Sequence, residues 1–396
     1  MDSKMWKAGC LIFLLGAPCL SQSGHADKAK SAPPPLPTFE VKFQPDPKLS
    51  VPFDETGYPS VFAEGCDDSG NPYVQVDRII PPHSIEVLKF DPKGIVTFET
   101  GKIADIVEPK WIADFVSDSA LYMLIEGDTH TEQVTSKPEW ANGKDAVSWE
   151  TKGEPHYYIA QFDSDGSYKG ASKLDLPFRP TGLSGFRSGS FLTTGFDQNK
   201  ILRVALLDSR GQLLRYIEFP KEKQEAAEKT VERAFGFTES PDSAPLTLSG
   251  FASFFPYQGN VLYVRGRSGA PTYRISAGGE AKTIKIKAAE GYAVEYLLPS
   301  DRNWFVVSTE QGKYTQAKSV IYEVNPSSGE FLGRYFAEGS GRTKAVSEGQ
   351  SDLACVHEGE FISVRHQGGK LTVLRGTPVL AQGAPTAKPK SLPPPP

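Results

Sequence analysis

The sequence predicts an all-β protein: a six-bladed β-propeller with four antiparallel strands per blade and a ring closed by an N-terminal strand in the last blade. Three observations predict it. Glycine (37) and proline (32) are abundant among the 396 residues, which suits many short strands joined by turns. An apolar-alternating strand that ends in Asp or Asn, a glycine turn and a second strand recur along the chain. A further hairpin precedes each of these, giving four-stranded units spaced by about 40 to 50 residues, the period of a propeller blade.

The chain opens with Lys4 and Lys7, followed by an apolar run from Ala8 to Leu20 and small residues at Ser21 and Ser23. That pattern makes residues 1–23 an export signal. Its apolar run falls short of the about 20 residues that cross a bilayer, so no transmembrane segment is expected. Pro18 directly before Cys19 fits a lipidation site badly. Residues 24–37 form a proline-rich linker, and residues 379–396 repeat that composition as a disordered tail. The expected location is the periplasm or the exterior, and the expected state is a monomer.

Between the tails, residues 38–378 hold the ring. One hairpin of each unit reads "IEVLKFDPKGIVTFE", "YYIAQFDSDGSYKGASKL", "ILRVALLDSRGQLLRYIEF", "TYRISAGGEAKTIKIK", "VIYEVNPSSGEFLGRYF" or "HQGGKLTVLRG". The last unit lacks an outer strand, and "TFEVKF" stands alone before the first, so it is expected to cross over and complete the last. Within the second unit "FDSDGSYKG" imitates a calcium loop. Its glycine comes fourth from Asp163, where an EF-hand needs it sixth, and "LDSRGQLLR" fills the same place without the second acid. It reads as a turn.

Insertions at 127–155 and 221–244 break the rhythm. The first carries Trp140 and Trp149. The second, "KEKQEAAEKTVERAF", places Ala227, Val231, Ala234 and Phe235 on one helical face, with Gly236 as a stop.

On these hairpins and turns the stretch 38–378 resembles six-bladed propellers of the NHL and TolB-like group. The resemblance implies a ring that serves binding modules, hydrolases and lyases alike, so it speaks to fold and not to activity. The Trp-Asp dipeptide of WD40 repeats is absent. "NPSSGEFLGRY" is similar to a quinoprotein blade motif but occurs once and lacks the tryptophan.

Aligned by their turns, the innermost strands bring Glu64, Asp114, Ser184, Ser253, Tyr296 and Ala354 into one register along a central tunnel. Glu64 and Asp114, on adjacent blades, could share Ca²⁺ or Mg²⁺ or divide acid and base roles. Lactonase-like members of the resembled class use such acids together with amides, and no matching asparagine lies on an inner strand here. Trp111, Arg179, Arg265, Glu295 and Asp352 are further ligand-binding candidates near strand entrances, beside Trp140 and Trp149.

The histidines form no cluster, and nucleophile-elbow, His-Glu-x-x-His and phosphate-loop patterns are absent. No cofactor is expected beyond that Ca²⁺ or Mg²⁺. A net charge of −5 without a basic run argues against nucleic acid. Cys66 and Cys355 remain after the signal leaves, on the first strands of the first and last blades, which meet when the ring closes. A bond there would clamp the seam and contribute roughly 4 to 5 kcal/mol through loop closure. Nothing in the sequence demands an enzyme. The expected function is a non-catalytic exported propeller that binds a protein, peptide or glycan on one face. The alternative is a metal-assisted, lactonase-like hydrolase or lyase at the tunnel mouth.

Overall fold

The computed structural model describes residues 36–54, 59–78, 84–117, 120–136, 146–199, 202–220, 252–257, 260–265, 272–284, 292–298, 300, 303–310, 319–325, 328–337 and 351–381. The expected helix at 221–244 and Trp140 lie outside them. Among the described residues the only helical element is a 3-10 turn at Thr100–Lys102, and no helix is long and apolar enough to cross a membrane.

One turn design recurs and explains where the chain reverses. In "FDSDGSYKG" the Asp163 N–H donates to Ser167 O at 3.0 Å and the Gly166 N–H donates back to Asp163 O at 2.9 Å. Matching pairs of bonds close Asp67–Asn71, Phe186–Ser190, Asp208–Gln212 and Ser276–Glu280. The fourth residue is glycine each time, with φ between +74° and +84°. An L side chain in that left-handed region is strained, so the recurring glycine is a backbone requirement. Asp165 adds a local bond, its Oδ1 accepting the Ser167 N–H at 3.0 Å.

The strands so linked make an all-β, propeller-like arrangement. The first sheet comprises β2 (Pro59–Cys66), β3 (Pro72–Arg78), β4 (Ser84–Asp91) and β5 (Gly94–Glu99), in that spatial order. In the second, β6 (Lys110–Ser117) pairs with β7 (Ala120–Gly127), and a separate two-stranded hairpin, β8 (His130–Ser136) with β9 (Ala146–Lys152), intervenes before β10 (His156–Phe162) and β11 (Tyr168–Leu174). The third sheet holds β12 (Phe178–Gly185), β13 (Phe191–Asp197), β14 (Leu202–Leu207) and β15 (Leu213–Tyr216). The fourth holds β16 (Ala252–Tyr257), β17 (Asn260–Arg265), β18 (Thr272–Ile275) and β19 (Ala281–Ile284).

The last sheet corrects the expected blade count. It is eight-stranded and fuses what the sequence presents as two units, so among the described residues the propeller-like arrangement has five large sheets and not six separate blades. One half is β20 (Tyr292–Leu298), β21 (Trp304–Glu310), β22 (Ser319–Val324) and β23 (Phe331–Ala337). The other is β24 (Ser351–His357), β25 (Glu360–His366), β26 (Lys370–Leu380) and the N-terminal β1 (Thr38–Pro52). β1 is antiparallel to β26 and runs parallel to β23 over Thr38–Val41. That second ladder joins the halves edge to edge. Strand alternation in a sequence does not reveal it, because pairing of remote edges is a tertiary event. β26 also runs on to Leu380, past the expected boundary at 378.

Period-two alternation fills the space between sheets. Along β7, Leu121, Met123 and Ile125 face the first sheet and pack on Tyr73, Val87 and Phe98. Leu124 faces the other way, onto Leu183 and Leu207 of the third sheet. A strand buried on both faces must be apolar at nearly every position, and "ALYMLIEG" is. Similar clusters join the third sheet to the fourth, the β24–β26 half to the first, and the two halves of the eight-stranded sheet to each other. The first strands lie innermost: β24 approaches β2, β2 approaches β6, β6 approaches β12, and β12 approaches β16.

Candidate functional site

Five of those innermost strands carry a β-bulge, at Glu64, Ile112, Thr181, Glu295 and Ala354, while β16 pairs without interruption. An extra residue in one strand re-aims its side chain and bends the strand. The bulges also correct the single register expected for Glu64, Asp114, Ser184, Ser253, Tyr296 and Ala354. Aligned by bulges, Glu64 corresponds to Ile112 and not to Asp114, and Glu295 replaces Tyr296. Counting back from the turns misses this because the distance from bulge to turn differs between strands.

Glu64 and Asp114 lie on β2 and β6, the first strands of the first and second sheets, which approach each other. Burial first, then the neighbouring Glu64 carboxylate, push Asp114 well above the usual carboxylate range, while the Trp111 side chain works in the opposite direction. Asp114 therefore holds its proton more tightly than an isolated aspartate does. Its Oδ2 is sealed from solvent and makes no hydrogen bond; the Trp111 Nε1 is likewise buried and unbonded. Trp111 packs, half-buried, against the core between these two sheets. On β12, Ser184 is fully buried with its Oγ unbonded as well. Buried polar groups are nearly always satisfied in folded proteins, so these atoms on neighbouring inner strands stand out, and Asp352 Oδ1 on β24 is another of the kind. Among the described residues no three His, Cys, Asp or Glu side chains group as metal ligands.

Two other candidates, Asp352 and Arg179, bond to groups within the chain. Asp352 is fully buried, and its Oδ2 accepts the Ala63 N–H at 2.9 Å beside the β2 bulge. Arg179 stands at the surface and pairs with Glu126 at 3.3 Å, a structural ion pair. Arg265, Glu295 and Trp149 fall within β17, β20 and β9, and their side chains, like those of Ser253 and Tyr296, lie outside the described residues. Cys66 and Cys355 are bonded, with α-carbons 5.9 Å apart.

Two groupings escaped the sequence reading. At the base of the β8–β9 hairpin, Asp128 sits at φ +64° and receives the Tyr158 hydroxyl, with His156 Nδ1 at 3.0 Å from its Oδ2. The Tyr158 bond is the largest influence holding Asp128 below its ordinary range; burial opposes it and His156 adds to it. Tyr158 is correspondingly pushed up to about 12, chiefly by burial and then by Asp128. The second grouping is Lys89 and Asp67, an ion pair at 2.9 Å with almost no exposure, sealed under the β2–β3 turn. Both depend on residues from different strands, and only the unusual acid within a turn is visible in the sequence.

No protein-family model matches the chain, and no curated protein matches it. Similar solved structures include a selenomethionine-substituted virginiamycin B lyase from Staphylococcus aureus, at 12% identity over 85% of this chain and 99% of that one, with a TM-score of 0.39. A protein of unknown function from Dyadobacter fermentans gives 11%, 84%, 99% and 0.43 on the same measures. The β-propeller domain of the trilobed protease from Pyrococcus furiosus gives 9%, 80%, 95% and 0.37. At these values the propeller-like arrangement rests on the chain's own strand pairing.

Proposed function

We propose that this chain is an exported, non-catalytic β-propeller that binds a protein or peptide on one face of its ring, taking a basic group of the partner between Glu64 and Asp114. One observation carries the reading: Asp114 presents a buried, unbonded carboxyl oxygen beside a second acid. An ammonium or guanidinium supplies the missing donors and offsets the charge that the pair cannot hold alone. The signal-like residues 1–23 and the Cys66–Cys355 bond support passage into an oxidising compartment.

The test is retention of peptides from an immobilised library by purified residues 24–396, with metal analysis of the same sample. Preference for lysine- or arginine-bearing peptides, lost in Glu64→Gln, supports the reading. Equal retention of neutral peptides sinks it. A stoichiometric divalent ion that disappears in Glu64→Gln would replace it with the metal-assisted alternative.

A further inference from the structure

Glu64, Asp114 and Ser184 lie near one end of their strands: two residues before Cys66, three before Ser117 and one before Gly185. At a strand rise of about 3.3 Å per residue, all three sit within about 10 Å of that end. The turn that follows β2 carries Asp68, and the turn that follows β12 carries Arg187. Arg187 Nη2 donates to Asp68 Oδ2 at 3.0 Å, although the two residues belong to the first and third sheets. β6 approaches both β2 and β12, so the pair reaches past the end of the strand that holds Asp114. Both side chains of the pair are 63% exposed. Asp114 Oδ2 and Ser184 Oγ are sealed from solvent.

The two partners are not held alike. Asp68 stands on a fixed turn, because Asp67 beside it pairs with buried Lys89 at 2.9 Å and accepts the Asn71 N–H at 2.9 Å. His357 packs over the same turn so closely that a Cβ at Gly70 would lie 2.5 Å from its Cδ2. Arg187 reaches across on a long side chain from a turn anchored by buried Phe186. An ion pair this exposed contributes little and is screened by salt, so it parts by a swing of the arginine side chain that leaves both turns in place. We propose that Arg187 is a gate at this end of the ring: its guanidinium occupies Asp68 until a partner's ammonium or guanidinium takes its place and passes on to Glu64 and Asp114. The incoming group is the basic group proposed above; the gate itself rests on the Asp68–Arg187 bridge.

Ser184→Cys tests this in purified residues 24–396, where Cys66 and Cys355 are bonded and the new thiol is the only free one. Methyl methanethiosulfonate, a small uncharged reagent, should modify that thiol about two- to fivefold faster once Arg187→Gln is added, the share of closure that one exposed ion pair supplies. Removing a cation would by itself slow a thiolate, so acceleration reports access and not reactivity. Raising salt from about 0.01 M to about 1 M shortens the screening length from roughly 30 Å to roughly 3 Å; it should quicken Ser184→Cys alone and leave the double variant unchanged. Should Ser184→Cys fail to fold by circular dichroism, amide hydrogen exchange over residues 110–117 decides, with faster exchange expected in Arg187→Gln than in the parent. Equal thiol rates, or equal exchange, overturn the gate. Neither measurement contains a partner, so that outcome would leave the basic-group reading standing, whereas equal retention of neutral peptides would remove that reading and not the gate.

Discussion

The carboxylate of Asp352 accepts the backbone N–H of Ala63 at 2.9 Å, although 289 residues separate them. The same offset separates Cys355 from Cys66, so β24 and β2 are held in matched phase by a polar bond and a covalent one. Asp352→Ala removes the acceptor from a fully buried position. The expected loss is about 1–3 kcal/mol, read as a lower urea midpoint with an unchanged m-value. A midpoint equal to that of the parent would show that the seam does not use this bond.

The disulfide encloses a sequence separation of 289 residues. Loop-closure entropy sets its contribution at about 5 kcal/mol, before any native-state strain is deducted. Cys66→Ala with Cys355→Ala should therefore unfold at distinctly lower denaturant, and dithiothreitol should lower the parent to a similar midpoint. Thiol titration of denatured, unreduced mature chain should find no free thiol.

Asp114 works against stability at neutral pH. Its folded-state affinity for a proton is raised, whereas the unfolded chain releases that proton near an ordinary value of about 3.9. The folded state thus binds more protons above that value, and stability falls as pH rises from there toward the raised folded pKa. Asp114→Asn removes the linkage. Thermal scans from pH 4 to pH 8 should show the variant gaining Tm on the parent as pH rises; a constant difference would mean that Asp114 titrates normally.

Asp67 carries the opposite sign. Burial alone would raise its pKa, but the Asn71 N–H, Lys89 and the Asn71 side chain together hold it below the ordinary range. The stability it contributes is present above the unfolded pKa and disappears as pH falls through the folded one. Lys89→Met leaves this carboxylate without its counter-ion in a nearly sealed site, with an expected loss of about 3–5 kcal/mol at neutral pH. The double variant with Asp67→Asn should recover much of that, which a double-mutant cycle of unfolding free energies measures.

Turns and strand faces were legible in the sequence because both are local. A glycine in fourth place announces each five-residue reversal, and apolar alternation announces the strands on either side of it. The seam was legible through its two cysteines, and β1 through its isolation ahead of the first unit. The number of sheets was not, since the parallel ladder between Thr38–Val41 and Arg334–Ala337 has no local signature. At the site, Glu64 and Asp114 stood out as acids on inner strands, but bulges shifted the register that turn-counting assigns. Asp352 stood out as an acid near a strand entrance, but the hold of its Oδ2 on the Ala63 N–H has no local signature.

Pro37 and Ala381 stand at the same end of the β1–β26 ribbon, where the Ala381 N–H bonds to Thr38 O at 2.9 Å and the Arg334 N–H bonds to Pro37 O at 2.9 Å. The two proline-rich tails consequently leave from one spot. Tension between a tethered tail and a loaded one would act as on a zipper, parting β1 from β26 rung by rung under modest force and never shearing the ladder as a whole. The peeling would run inward until the load met the Cys66–Cys355 bridge, which acts as the mechanical stop.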